Sequence, residues 1–174
     1  MPYFTKSLMF FLMTLLPILA GAQTCQTHSI LATTPTNRFT INNDGTVSDT
    51  KTGLIWKRCS EGQSGVDCRM GAAATYTWQG ALQQAQSVNN NGGFAGYKNW
   101  RLPNMKELDS IVEKQCNSPS INLIIFPKSQ SDLYWSSSPY AGYSGYAWSI
   151  YFGNGGGLAD YSYKDNYGFV RLVR

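Results

Sequence analysis

Four cysteines that follow an apolar N-terminal segment constrain this chain more than any other feature. They are Cys25, Cys59, Cys68 and Cys116. The segment before them, residues 8–20, is apolar, is preceded by a single lysine, and leads into an Ala-Gly-Ala motif. Such a segment is typical of a secretory signal peptide. Because secreted chains commonly pair an even number of cysteines, the sequence predicts an extracytoplasmic protein held by two disulfides.

The apolar segment indicates a cleaved signal rather than a membrane anchor. A membrane-spanning helix needs roughly 20 apolar residues, and Pro17 interrupts this shorter run. We expect cleavage after Ala22, which assigns residues 1–22 to the signal peptide. No later segment is long and apolar enough to cross a membrane. The processed protein is therefore expected not to span a membrane and to be secreted, periplasmic or located at the cell surface.

The cysteine spacing favours one pairing and argues against a metal site. Cys59 and Cys68 enclose a short, Gly-containing polar loop, so we expect them to bond, which leaves Cys25 to pair with Cys116. The zinc alternative lacks a Cys-x-x-Cys motif, and the chain has a single histidine, His28. No phosphate-binding loop or dinucleotide fingerprint occurs either. The sequence therefore predicts no metal and no cofactor.

Short strands and two helices are expected along the chain. Strand-like residues flank Asn43-Asp44-Gly45, a strong hairpin signal. Apolar residues at helical spacing predict a helix from Trp78 to Val88. Asn104 followed by Glu107 resembles a capping box at the start of a second helix. The order of strands, two helices and a second strand-and-loop half predicts an α+β fold without βαβ alternation.

Four segments resemble a known family of bacterial secreted proteins, the Lcl C-terminal domain family. They are Thr52-Gly53-Leu54-Ile55-Trp56, the run Phe94-Ala95-Gly96-Tyr97-Lys98-Asn99-Trp100-Arg101-Leu102-Pro103-Asn104, Tyr134-Trp135-Ser136-Ser137-Ser138, and the terminal Val170-Arg171-Leu172-Val173-Arg174. The resemblance covers residues 39–174 and leaves residues 23–38 as an extended lead-in. It implies a C-type-lectin-like fold, with two helices on a small antiparallel sheet and a long, loop-rich C-terminal half.

The resemblance also implies a function in binding. One member of the family is the binding domain of an adhesin that recognises sulfated glycosaminoglycans, and relatives with this fold are diversified by retroelements to change their ligand. Formylglycine-generating enzymes use the same fold and provide the enzymatic alternative. Those enzymes need a reactive cysteine pair late in the chain, whereas no cysteine follows Cys116 here. We therefore expect the protein not to be an enzyme, and we predict no catalytic residues.

Several large side chains are expected to be structural. Tryptophans in apolar or family-motif segments usually belong to a core. A guanidinium beside one of them can satisfy several buried carbonyl groups, so Arg101 is expected to be a buried or half-buried strut. Period-2 alternation places Trp148, Ile150 and Phe152 on one strand face. The residues expected to be structural are Trp56, Trp100, Arg101, Trp135 and Trp148.

The last 44 residues have the composition of a binding surface. Residues 131–174 hold eight of the eleven tyrosines, interleaved with Gly, Ser, Asn and Asp, and only six of these residues are charged. Tyrosine gives rigid amphipathic contact area, and the small polar residues give adaptable hydrogen bonds. A tyrosine-rich sheet surface without a ligand remains open as an alternative. The candidate ligand-binding residues are Tyr140, Tyr143, Tyr146, Tyr151, Asn154, Asp160, Tyr161, Tyr163 and Tyr167.

The charge pattern leaves two ligand classes. Basic residues are scattered, with no run longer than Lys57-Arg58, and the net charge is only +4. A nucleic-acid partner is therefore not expected. A modest positive charge can attract a sulfated glycan in a salt-dependent way. The predicted function is a secreted module that binds a glycan or a cell-surface protein, with a structural envelope protein as a third alternative; the sequence does not decide the oligomeric state.

Overall fold

A computed structural model describes residues 22–153 and 157–174 of the chain. The predicted signal peptide, apart from Ala22, and the candidate Asn154 lie outside these residues. The elements, in chain order, are β1 (Thr24–Cys25), a 3-10 turn (Thr36–Arg38), β2 (Phe39–Ile41), β3 (Thr46–Asp49), β4 (Ile55–Lys57), β5 (Gln63–Ser64), β6 (Met70–Gly71), β7 (Thr75–Tyr76), α1 (Trp78–Asn90), α2 (Met105–Asp109), β8 (Cys116–Asn117), β9 (Leu133–Pro139), β10 (Tyr146–Tyr151), β11 (Leu158–Tyr163) and β12 (Gly168–Phe169). The fold is α+β, as predicted.

The largest sheet has five strands in the order β11-β10-β9-β12-β7. Strands β9, β10 and β11 form an antiparallel meander, and β11 lies at the edge of the sheet. Strand β12 pairs parallel with β9 and antiparallel with β7, so it connects the meander to β7, the strand before α1. A three-stranded sheet of β2, β3 and β4 and two pairs, β1-β8 and β5-β6, complete the fold.

The local sequence signals are confirmed in the first half of the chain. Strands β2 and β3 form the expected hairpin, and Gly45 in its turn has φ +84°, a conformation that favours glycine. Helix α1 begins where the apolar periodicity begins. At the start of α2, the Asn104 side chain accepts from the amide of Glu107, and the Glu107 carboxylate accepts from the amide of Asn104. The capping box is therefore complete.

Two hydrophobic clusters pack against opposite faces of the large sheet. The adjacent residues Tyr134 and Trp135 on β9 point to opposite faces because side chains alternate along a strand. Tyr134 joins the cluster that includes Leu108 and Ile150, and Trp135 joins the cluster that includes Ala81. The sheet is thus covered by α1 on one face and by the α2 segment on the other.

Both disulfides form as predicted, Cys59 with Cys68 and Cys25 with Cys116. The second one joins β1 to β8 across a sequence separation of 91 residues. Beside it, the buried carboxylate of Glu113 accepts hydrogen bonds from the backbone amides of Thr33 and Thr34. The segment of residues 23–38, expected as a lead-in, is therefore fastened to the rest of the described chain by a covalent bond and by a buried acceptor.

The expected burial of Arg101 is wrong. Its side chain is 47% exposed, and its guanidinium forms two hydrogen bonds with Glu107, at 2.7 and 2.8 Å, rather than with buried carbonyl groups. The buried strut is Arg171, which is 1% exposed. Its guanidinium donates to the carbonyl oxygens of Lys57 and Arg58 and lies 4.7 Å from the ring centroid of Phe126.

Candidate functional site

Most of the candidate tyrosines lie on regular strands rather than in loops, which corrects the expected loop-rich character of this region. Tyr146 and Tyr151 are the first and last residues of β10, and Tyr161 and Tyr163 lie on β11. The turn between β9 and β10, residues 140–145, carries the remaining two tyrosines of the meander. The side chains are therefore placed by strand register, which a composition argument does not contain.

The register of β10 and β11 brings four aromatic side chains together. Tyr146 is directly opposite Tyr163, and Trp148 is directly opposite Tyr161. Because alternate residues share a face, all four rings lie on the same side of the two strands. The rings of Tyr146 and Tyr163 are 4.1 Å apart between centroids, and those of Trp148 and Tyr161 are 5.9 Å apart.

The β9–β10 turn adds two more rings to this group. The ring of Tyr140 stacks on that of Tyr161, with 4.2 Å between centroids and 9° between planes. The ring of Tyr143 lies 5.9 Å from that of Tyr146. We call the resulting continuous surface the aromatic face; it consists of Tyr140, Tyr143, Tyr146, Trp148, Tyr161 and Tyr163.

The members of the aromatic face differ in how much ring surface they offer to a ligand. Tyr143 and Tyr163 are 69% and 58% exposed, whereas Tyr146 between them is half-buried. Tyr140 and Tyr161 turn one ring face towards each other. The arrangement provides two well-exposed rings, Tyr143 and Tyr163, and the less exposed ring of Tyr161 (44%), supported by half-buried aromatic side chains. Such rigid support lowers the entropy that the exposed rings lose on binding.

The hydroxyl groups of this surface are neutral donors and acceptors. A hydrogen bond with Tyr163 raises the pKa of Tyr146 to about 12, and desolvation and the neighbouring tyrosines act in the same direction. The Tyr146 phenol therefore stays protonated at physiological pH. The aromatic face contains only tyrosine and tryptophan side chains, so the surface offers ring faces and hydroxyl groups rather than ion pairs.

Lys164 is the cation that contacts the turn beside this surface. It follows β11, and its ammonium group donates to the carbonyl oxygen of Ser144 at 2.6 Å. The same ammonium lies 4.4 Å from the ring centroid of Trp78, the first residue of α1. Its charge is thus engaged by a carbonyl group and an aromatic ring.

Three other candidate residues lie away from the aromatic face. Asp160 alternates with Tyr161 on β11 and therefore points to the opposite side of the sheet; its carboxylate accepts from the amide of Tyr161 at 2.7 Å. Because β11 is an edge strand, this contact shields a backbone donor from pairing with another chain. Tyr151 lies at the far end of β10, and Tyr167, 69% exposed, lies between β11 and β12 without a ring contact in the described part of the chain.

The expected structural residue Trp148 is also a member of the aromatic face. Trp56, Trp100 and Trp135 are buried, as expected of structural residues. Trp148 is half-buried and packs against Tyr140 and Tyr161 instead of joining either core cluster. The spacing of Tyr146 and Trp148 along one strand was the available signal, since residues two apart share a face.

Pockets of about 640, 380 and 240 Å³ among the described residues lie away from the aromatic face. The first lies beside Pro127 and Gln130, the second beside the lead-in, and the third beside the Cys59–Cys68 loop and Phe94. The aromatic face is an open surface, which suits an extended ligand better than a small molecule that needs enclosure. Among the described residues, no group of His, Cys, Asp and Glu is arranged to hold a metal ion.

The family can be assigned at this point. A family model, the Lcl C-terminal domain, matches residues 45–174, most of the chain and the whole of the aromatic face. The chain belongs to the Lcl C-terminal domain family. No curated protein matches it in sequence. Within the part of the chain that the structure describes, this Lcl C-terminal domain contains no helix of the length and apolarity that a membrane span requires.

Proposed function

We propose that this Lcl C-terminal domain protein is an extracytoplasmic binding module that recognises a glycan through its aromatic face. The observation that carries the proposal is the ring array itself. The two most exposed tyrosine rings, Tyr143 and Tyr163, flank Tyr146, and the less exposed ring of Tyr161 lies beside them. Exposed tyrosines on a rigid support combine apolar contact area with hydroxyl groups, which is what the faces and edges of sugar rings require.

The chemistry of the face favours uncharged sugar rings over sulfate groups. None of its members is charged, and the ammonium group of Lys164 is already bound to Ser144 and placed over Trp78. Stacking on aromatic rings depends little on ionic strength, whereas recognition of sulfate by lysine and arginine weakens steeply with added salt. The proposal therefore places a sulfated glycosaminoglycan second to a neutral glycan, and a surface protein third.

A fold of the C-type-lectin type and export across a membrane belong to the same proposal. The α+β arrangement of two helices around a small antiparallel sheet is compatible with that fold. Two disulfides support an oxidising compartment. All four cysteines are in disulfides, so an enzyme that depends on a free thiol is not supported.

A glycan array with matched variants tests the proposal. The full chain, produced with its own N-terminal segment, is compared with a Tyr143→Ala/Tyr163→Ala double variant at about 50 and 500 mM NaCl, which spans the range over which surface charges become screened. We expect binding to a neutral glycan at both salt concentrations and at least about tenfold weaker binding by the double variant.

Tyr167→Ala is the control variant, because Tyr167 is as exposed as Tyr143 but lies outside the aromatic face. It should bind like the unmodified protein. The proposal is wrong if no glycan is retained, or if binding is lost at high salt and unaffected by the double variant. The second outcome would assign recognition to the scattered basic residues instead.

A further inference from the structure

The turn that presents Tyr143 has few contacts of its own. Residues 141–145 are exposed and consist of small residues around Tyr143. Within the turn, the backbone amide of Tyr140 donates to the carbonyl oxygen of Tyr146, and the amide of Tyr146 donates to the carbonyl oxygen of Tyr143, each at 3.1 Å. A short turn rich in glycine and serine has a large conformational freedom in the absence of further contacts. The position of the Tyr143 ring therefore depends on what holds the turn from outside.

Lys164 supplies the outside contacts. Its amide donates to the carbonyl oxygen of Gly145 at 2.8 Å, and its ammonium group donates to the carbonyl oxygen of Ser144 at 2.6 Å. Its own carbonyl oxygen accepts from the amide of Trp78 at 2.9 Å, while the ammonium lies over the Trp78 ring. One residue thus connects the turn to the start of α1.

We propose that Lys164 is the positioning residue of the aromatic face: through its ammonium group it holds the β9–β10 turn in the conformation that presents Tyr143 for binding. The inference rests on the proposed function of that face. The ammonium group has no carboxylate partner among the described residues. Its two contacts are the hydrogen bond to the Ser144 carbonyl oxygen and the cation–π contact with the Trp78 ring. A charge-assisted hydrogen bond and a cation–π contact are both lost when this charge is removed.

Backbone hydrogen exchange tests the positioning role without any ligand. Lys164→Met keeps the length of the side chain and removes its charge and its donors. We expect the amide of Tyr146 to exchange at least about tenfold faster in this variant, as local opening of the turn becomes easier. The amide of Val173, which donates to the carbonyl oxygen of Arg101 outside the β9–β11 meander, should keep its exchange rate. Lys164→Arg should restore slow exchange at Tyr146, because arginine can donate to the same carbonyl and lie over the same ring.

Binding to the glycan array then tests the consequence for recognition. Lys164→Met should weaken retention at least about fivefold, and Lys164→Arg should return it to within about twofold, since a pre-organised turn lowers the entropy lost on binding. Lys51→Met is the charge-matched control. Lys51 is exposed in the turn between β3 and β4, and its removal should alter neither measurement.

The outcomes separate this inference from the proposed function. Unchanged exchange at Tyr146 in Lys164→Met would show that Lys164 does not hold the turn. Faster exchange with undiminished glycan retention, while Tyr143→Ala abolishes retention, would also overturn the inference and leave the proposed function standing. Retention that survives Tyr143→Ala/Tyr163→Ala overturns the proposed function itself, and the inference falls with it.

Discussion

Replacing Arg171 with methionine should destabilise the domain far more than the same replacement at Arg101. The Arg171 guanidinium is 1% exposed and donates to two backbone carbonyl oxygens, those of Lys57 and Arg58, and to the hydroxyl oxygens of Ser60 and Ser129. Methionine keeps most of the apolar stem but removes every donor and the guanidinium that lies over Phe126. The contacts link β4 and the disulfide loop to the C-terminal segment.

The magnitude follows from the acceptors that are left behind. The Ser129 hydroxyl donates to the carbonyl oxygen of Phe126, and the Ser60 hydroxyl forms a hydrogen bond with the Tyr134 hydroxyl. Both serine hydroxyl groups therefore keep a partner in the variant. The two carbonyl oxygens lose the guanidinium, and each unsatisfied buried group costs about 1–3 kcal/mol. We therefore expect Arg171→Met to lower the free energy of unfolding by about 2–6 kcal/mol, a large part of the roughly 5–15 kcal/mol typical of a domain.

Arg101→Met provides the comparison. The Arg101 side chain is 47% exposed and pairs with a single carboxylate, that of Glu107. Exposed ion pairs contribute about 1 kcal/mol or less. Urea unfolding followed by tryptophan fluorescence, with both disulfides intact, measures both variants, and Arg171→Lys should lie between them because lysine keeps a single donor group. Equal losses for Arg171→Met and Arg101→Met, or a loss below about 1 kcal/mol for Arg171→Met, would refute the assignment of Arg171 as the buried strut.

Four further perturbations have defined outcomes. Removing the Cys25–Cys116 disulfide with serine at both positions should lower the unfolding free energy by about 2–4 kcal/mol in urea titrations, since the bond closes a long loop. Asn104→Ala should cost about 1 kcal/mol by the same assay, because it removes the N-terminal cap of α2. Burial raises the pKa of Glu113, but hydrogen bonds from the lead-in outweigh burial and hold that pKa below its ordinary 4.5. Stability from this carboxylate is therefore complete above that value and is lost as pH falls below it, and Glu113→Gln should flatten the pH dependence of unfolding there. The pKa of Tyr146 is raised to about 12, so the contribution of its phenol to the free energy of unfolding is complete below the ordinary pKa of 10.0 and is lost as pH rises above that value. In an ultraviolet titration, Tyr146→Phe should lack one tyrosine that ionises late.

Local sequence signals predicted the elements whose physical cause lies within a few residues of the chain. The hairpin around Gly45 depends on a turn that needs a positive φ, and the capping box of Asn104 and Glu107 depends on residues three apart. The Cys59–Cys68 disulfide closes a loop short enough to be anticipated from spacing. In each case the partners are close in the chain, so the sequence pattern contains the contact.

The identity of the strut required the tertiary structure. Arg101 and Arg171 both lie in family-motif segments, and both were available to satisfy buried carbonyl groups. The pairing of the C-terminal segment with β4 and with Arg101 buries the side chain of Arg171 and leaves that of Arg101 at the surface. Which arginine is desolvated depends on contacts between residues more than 100 positions apart, as between Arg171 and Lys57.

Composition alone shows that the C-terminal region is rich in tyrosine and poor in charge, and it predicts a binding surface there. Which tyrosines act together depends on strand pairing, which composition does not contain. The register of β10 and β11 pairs Tyr146 with Tyr163 and brings Trp148 into the same face, while it turns Asp160 to the other side. A shift of one residue in that register would reverse every one of these assignments, because side chains alternate along a strand and composition does not record their phase.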